Sequence, residues 1–166
     1  MRHCQLRMEL PNEAPTVPLC CRTAQALLED LAIDAARAAD IALVLSEAAG
    51  SLVRHARTPL PHRYRVTLTV FTDRVRLEVA DEGCGFDRAA GPAPDAPPLA
   101  GRALWLIEQR ADLATVSTLP DGGCLLEAEF FLPHPLVLRP PISDDPERLS
   151  PAGPLLDAEP TGPYHA

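Results

Sequence analysis

The stretch Val75-Arg76-Leu77-Glu78-Val79-Ala80-Asp81-Glu82-Gly83-Cys84-Gly85 alternates apolar and charged residues, then breaks into a carboxylate and two glycines. Alternation with period two predicts a half-buried strand. The glycines that follow let the backbone take dihedrals, and approach a ligand, in ways a Cβ forbids. Taken alone, Asp-x-Gly-x-Gly also describes an ordinary strand-ending turn. Its meaning depends on what lies on either side.

Upstream, Val66, Leu68 and Val70 alternate in a second strand, and Thr72-Asp73 joins the two as a hairpin. A long helix precedes that pair. It is expected to start near Asp40 as N-cap, with Ile41, Val44, Leu45, Ala48 and Leu52 forming its buried stripe. Glu47, Ser51 and Arg54 fall at i, i+4 and i+7 on a neighbouring polar stripe. Gly50 lies in the same helix and weakens it by roughly 1 kcal/mol relative to alanine. Before it, a helix is expected from Thr16 to about Leu31, with Pro18 in its first turn. An opening strand carries Cys4, Leu6, Met8 and Leu10 on one face and ends at Pro11.

Downstream, residues 86–100 contain Gly91, Pro92, Pro94, Pro97 and Pro98 and have no helical or strand period. A loop of this length in a compact domain is expected to be a lid, a binding loop or a disordered insert. Gly101 is expected to open a third helix with Leu104, Ile107 and Ala111 inward. A strand at 114–119, a turn at Pro120-Asp121-Gly122-Gly123 and a strand at 124–132 close the domain. In that last strand Cys124, Leu126, Ala128 and Phe130 face inward, and Glu127 and Glu129 outward. The order predicts an α+β fold, a two-layer sandwich of a mixed, mostly antiparallel sheet with helices on one face. Residues 1–132 form the expected domain; 133–166, punctured by prolines, is expected to be a disordered tail.

Composition narrows the chemistry. The chain has 166 residues, a net charge of −8 and a pI of about 5.0, which argues against a general nucleic-acid or anionic-membrane binder. All fifteen basic residues are arginine. A Walker A loop and Schiff-base chemistry both need lysine, so both are excluded. The five cysteines include no Cys-x-x-Cys pair, which makes a disulfide framework or zinc site a poor expectation. With no leader-like or membrane-length apolar run, a cytoplasmic location is expected.

Four segments recur in a fixed order: Ser46-Glu47-x-x-x-Ser51-x-x-x-His55-Ala56, Asp81-x-Gly83-x-Gly85, Gly101-Arg102-Ala103-Leu104, and Gly122-Gly123-Cys124. Together, over about residues 5 to 132, they resemble the GHKL (Bergerat-fold, histidine-kinase-like) ATPases, and among these the bacterial anti-sigma regulatory serine/threonine-protein kinases. The resemblance implies ATP and Mg²⁺ as ligands. Asp81 would take the adenine amino group, with Gly83 and Gly85 shaping the pocket. Glu47 would be the general base toward a partner's serine hydroxyl. Gly101, Arg102, Ala103 and Leu104, at a helix N-terminus, would face the phosphates, and Arg54 is a candidate phosphate contact. Expected partners are a sigma factor and a STAS-domain anti-anti-sigma protein, with a homodimer as a further candidate and no direct contact with nucleic acid or membrane.

Two positions depart from the family pattern. Ser51 stands where an asparagine normally holds Mg²⁺, and Ala103 where a second glycine is usual. A positive φ at Ala103 would cost roughly 1 kcal/mol or more. The alternative expectation is therefore a catalytically attenuated or inactive GHKL interaction module that acts by partner binding only. His55, Trp105 and Cys84 have simpler roles available: a structural histidine, a core or interface tryptophan, and an unactivated thiol.

Overall fold

The computed structural model describes residues 3–55, 63–81, 99–119 and 123–138. Its elements run β1 (Cys4–Pro11), α1 (Thr16–Asp30), α2 (Ala35–His55), β2 (Arg63–Val70), β3 (Arg74–Asp81), α3 (Leu99–Arg110), β4 (Leu113–Thr118) and β5 (Cys124–Phe131). The strands form one sheet in the order β1-β2-β3-β5-β4, and all four pairings are antiparallel. This is the expected α+β two-layer sandwich. The alternation seen in the sequence sets its two faces. Leu68, Leu77, Leu126, Ala128 and Phe130 point inward and are buried beneath the helices. Ile41, Val44, Leu45, Ala48 and Leu52 of α2 meet them from above.

The outer face has no helix layer among the described residues. Long charged side chains lie across it instead. Arg76 pairs with Glu129 at 3.3 Å and Glu127 at 3.6 Å, and Arg65 with Glu9 at 3.6 Å. Thr67 and Thr69 are buried although they point away from the core, and Gln5 Nε2 donates to Thr69 Oγ1 at 3.0 Å.

Helix boundaries differ from expectation in two places. Helix α2 begins five residues before Asp40: Asp34 is the cap, its Oδ2 accepting from the N–H groups of Ala36 (3.2 Å) and Arg37 (3.3 Å). The extra turn is mostly alanine, which favours helix but carries no polarity contrast to reveal it. Asp40 sits inside the helix and pairs with Arg110 at 3.1 Å. Helix α3 begins at Leu99, not Gly101, so residues 99 and 100 belong to it and not to the loop. Leu99 and Ala100 favour helix more than glycine does, so the glycine is a residue of the first turn and not its start.

Helix α1 ends in a Schellman turn. Ile33 N–H donates to Leu28 C=O and Ala32 N–H to Glu29 C=O, both at 2.9 Å, and Ile33 packs in the core beside Leu28. Ala32 occupies the left-handed position with φ 54°, the one non-glycine residue with positive φ among those described. Left-handed alanine costs about 1–2 kcal/mol, while glycine loses about 0.5–1 kcal/mol more chain entropy. Ala32→Gly is therefore expected to raise Tm in calorimetry by about 1–3 °C.

Beyond β5 the chain turns back over the β2–β3 hairpin. Leu132 N–H donates to Asp73 C=O (2.9 Å), Leu136 N–H to Thr72 C=O (2.7 Å), and Leu136 packs on the core. Residues 139–166, which make up most of the expected tail, lie outside the described residues.

Candidate functional site

Chain direction brings three elements to one end of the sheet. Asp81 closes β3 there, opposite Tyr64 at the start of β2 and Cys124 at the start of β5. The C-terminal turns of α2 lie at that end too, since residues 56–62 connect them directly to β2. Helix α3 runs antiparallel to α2. Arg110 at its C-terminus pairs with Asp40, and Arg37 with Asp112 at 3.3 Å, so the α3 C-terminus meets the N-terminal half of α2. Its N-terminus therefore points to the Asp81 end. A buried carboxylate, the polar stripe of α2 and a helix N-terminus converge.

Asp81 is 3% exposed and shares the inward face of the sheet with Tyr64 and Val79. Alternation along β3 puts it there. Gly83 and Gly85 lie outside the described residues, as do Cys84 and residues 86–98. Gly101 and Arg102 fall in the first turn of α3, whose leading N–H groups have no intrahelical acceptor and can face an anion. The Arg102 side chain lies outside the described residues. Ala103 has ordinary helical φ and is buried. The expected cost of alanine at this position is thus absent in the structure, because residue 103 sits inside the helix. Leu104 is half-buried beside it.

On α2, Glu47 and Arg54 form a loose ion pair at 3.9 Å, with side chains 35% and 51% exposed. The pair spans two helical turns across Gly50. A Cβ at residue 50 would come within 3.1 Å of Arg54 Nη1, so the glycine gives the guanidinium room to fold back along the helix. Exposed pairs of this kind contribute about 0–1 kcal/mol, so the contact orients Glu47 more than it stabilises the fold. Ser51 is only 3% exposed. Among the described residues no cluster of three or more His, Cys, Asp or Glu side chains could hold a metal. The donor set therefore offers Mg²⁺ one neutral hydroxyl from Ser51, and phosphate oxygens and water would have to supply the other ligands. The nucleotide fits better: a buried acceptor at the strand end suits adenine, and the first turn of α3 suits phosphate.

Sequence reasoning missed one group. Tyr64, fully buried, places its hydroxyl 2.9 Å from Thr16 Oγ1 and 3.8 Å from Cys20 Sγ, both on α1. Its position opposite Asp81 was readable from the hairpin register, but its hydroxyl partners come from a helix more than forty residues away. Burial pushes the Tyr64 hydroxyl well above its ordinary value of 10.0. A folded value above the unfolded one means the contribution to stability is complete below about pH 10 and is lost as pH rises further. The melting temperature of the wild type is expected to fall above about pH 10, and that of Tyr64→Phe to fall less steeply.

Trp105, expected in the core or an interface, is 60% exposed on α3. The side chain of His55 lies outside the described residues. No helix among the described residues is long and apolar enough to cross a membrane.

A strand-end aspartate, an acid-bearing helix and a helix N-terminus under one antiparallel sheet are the parts of a nucleotide-binding sandwich. The chain belongs to the histidine kinase-like ATPase domain family, whose model matches residues 10–126. Among solved structures it is similar to the crystal structure of the RsbU and RsbW domains of Rv1364c from Mycobacterium tuberculosis, with a TM-score of 0.58 and 18% identity. The match covers 81% of this chain and 35% of that one, so this chain spans about a third of that protein's length. That likeness concerns the fold. No curated protein matches the sequence.

Proposed function

We propose that this chain binds ATP at the Asp81 end of the sheet and phosphorylates a serine or threonine of a partner protein. It would act as a cytoplasmic anti-sigma factor that switches between a sigma factor and a STAS-domain anti-anti-sigma protein. The observation that carries the reading is the convergence of Asp81, the Glu47 stripe of α2 and the first turn of α3 at one end of the fold. The family membership and the fold shared with an RsbW-containing protein support it.

In this mechanism the adenine amino group donates to the Asp81 carboxylate, and the first-turn N–H groups of α3 donate to phosphate oxygens. Arg54, on its flexible stem, exchanges Glu47 for a phosphate oxygen. Glu47, once released, accepts the proton of the partner's hydroxyl. That oxygen bonds to the γ-phosphorus, the bond from the γ-phosphorus to the β–γ bridging oxygen breaks, and ADP leaves. Magnesium, when bound, neutralises phosphate charge; Ser51 is the side chain that would reach it. Incubation with γ-labelled ATP, Mg²⁺ and a STAS protein encoded beside this gene tests the proposal. Label on a partner serine or threonine is the expected result, and ATP binding without transfer would refute the kinase reading.

Ser51 favours a second reading, a binding module with attenuated or absent catalysis. Ser51→Asn separates the two. If the native site is attenuated, this variant gains about tenfold or more in Mg²⁺-dependent ATP affinity, the scale of one charge-assisted contact. Unchanged affinity in a titration with and without Mg²⁺ would mean the serine site already functions as it stands.

A further inference from the structure

We propose that Tyr64 is a positioning residue for Asp81, locked in place by hydroxyl chemistry at the head of α1. The inference rests on the reading of Asp81 as the adenine acceptor. Tyr64 and Asp81 are directly opposed across the β2–β3 pair, and both point inward. Side chains so placed have Cβ atoms about 4.5–5.5 Å apart, so the two leave the sheet as neighbours on its inward face. Cys124 of β5 holds the corresponding place on the other flank.

The direction of each hydrogen bond follows from counting protons. Thr16 Oγ1 lies 2.7 Å from Glu13 C=O and 3.0 Å from Pro11 C=O, and both of those groups only accept. The single Thr16 hydroxyl proton is therefore committed to the backbone. The 2.9 Å contact between the hydroxyls then requires Tyr64 to donate and Thr16 to accept. Cys20 likewise donates its thiol proton to Val17 C=O at 3.1 Å. The ring is thus held at its base by the sheet and at its tip by a chain of donors ending on the turn before α1. It cannot rotate or tilt without orphaning a buried hydroxyl. A fixed ring denies the Asp81 side chain movement toward β2. The same geometry makes selectivity for a 6-amino over a 6-oxo purine depend on Thr16, a residue on a different element.

A double-mutant cycle tests this in the full chain, with ADP and GDP as probes in calorimetric titrations. Tyr64→Phe and Thr16→Val are each expected to weaken ADP binding by about fivefold and to narrow the ADP-to-GDP preference. In an Asp81→Asn background, adding Tyr64→Phe should change ADP affinity less than twofold, because the group it positions is gone. Wild-type affinity and selectivity in both single variants would overturn the inference. So would a fivefold loss that persists undiminished on top of Asp81→Asn, which would mark Tyr64 as structural only. If Tyr64→Phe does not fold, Thr16→Val carries the same cycle. A wild-type protein that binds no adenine nucleotide would instead remove the Asp81 reading itself, and the inference with it.

Discussion

Asp81→Asn is expected to weaken ADP binding by about 10- to 100-fold, with the fold intact. The substitution keeps the shape of the side chain and replaces one carboxylate oxygen by an amide nitrogen. A hydrogen bond to a charged group contributes about 1.5–3 kcal/mol, which converts to that range. The site is 3% exposed, so water cannot replace the lost acceptor. The asparagine amide can also present its NH₂ to the adenine amino group, setting donor against donor. Calorimetric titration of ADP checks the affinity, and circular dichroism checks the fold. ADP binding at wild-type strength would place the adenine elsewhere.

Glu47→Gln is the second large effect. If Glu47 takes the proton of the partner's hydroxyl, its amide cannot, and phosphoryl transfer is expected to fall about 10²- to 10⁴-fold. Nucleotide affinity should stay within about twofold, because the proposed role of Glu47 is toward the acceptor hydroxyl and not the adenine. Stability should change by less than about 1 kcal/mol, since its charge partner among the described residues is the exposed Arg54 at 3.9 Å. Steady-state phosphorylation of the partner, beside an ADP titration, separates these outcomes. Equal loss of binding and transfer would assign Glu47 to the nucleotide and leave the base unidentified.

The two substitutions probe opposite ends of the same site, and the structure treats those ends differently. At the proposed adenine end, Asp81 is buried between Tyr64 and Cys124 in regular strand geometry. At the proposed phosphate end, Ala103 is accommodated in the helix, so the departure there carries no backbone strain. Ser51 remains the one described position where the donor chemistry itself has changed. The question of catalysis therefore narrows from two residues to one.

The sequence by itself determined the sheet faces, the hairpins and the order of elements. Each follows from period-two or period-3.6 contrast between neighbouring residues, which is local information. Val66, Leu77 and Phe130 could be assigned to the core on that basis, and Asp81 to a strand end. Local contrast failed where it was weak: an alanine-rich turn hid the true start of α2 at Ala35, and a glycine drew the start of α3 two residues too late. Tertiary structure alone decided three things. Antiparallel packing of α2 on α3, held by Arg37–Asp112 and Arg110–Asp40, carries the site elements to one end. Helical φ at Ala103 removes a cost that the motif comparison suggested. The Tyr64–Thr16 contact joins residues 48 apart and ties the strand position opposite Asp81 to the head of α1. No periodicity can report a contact at that separation, because side-chain pattern encodes which face a residue takes and not which distant element covers it.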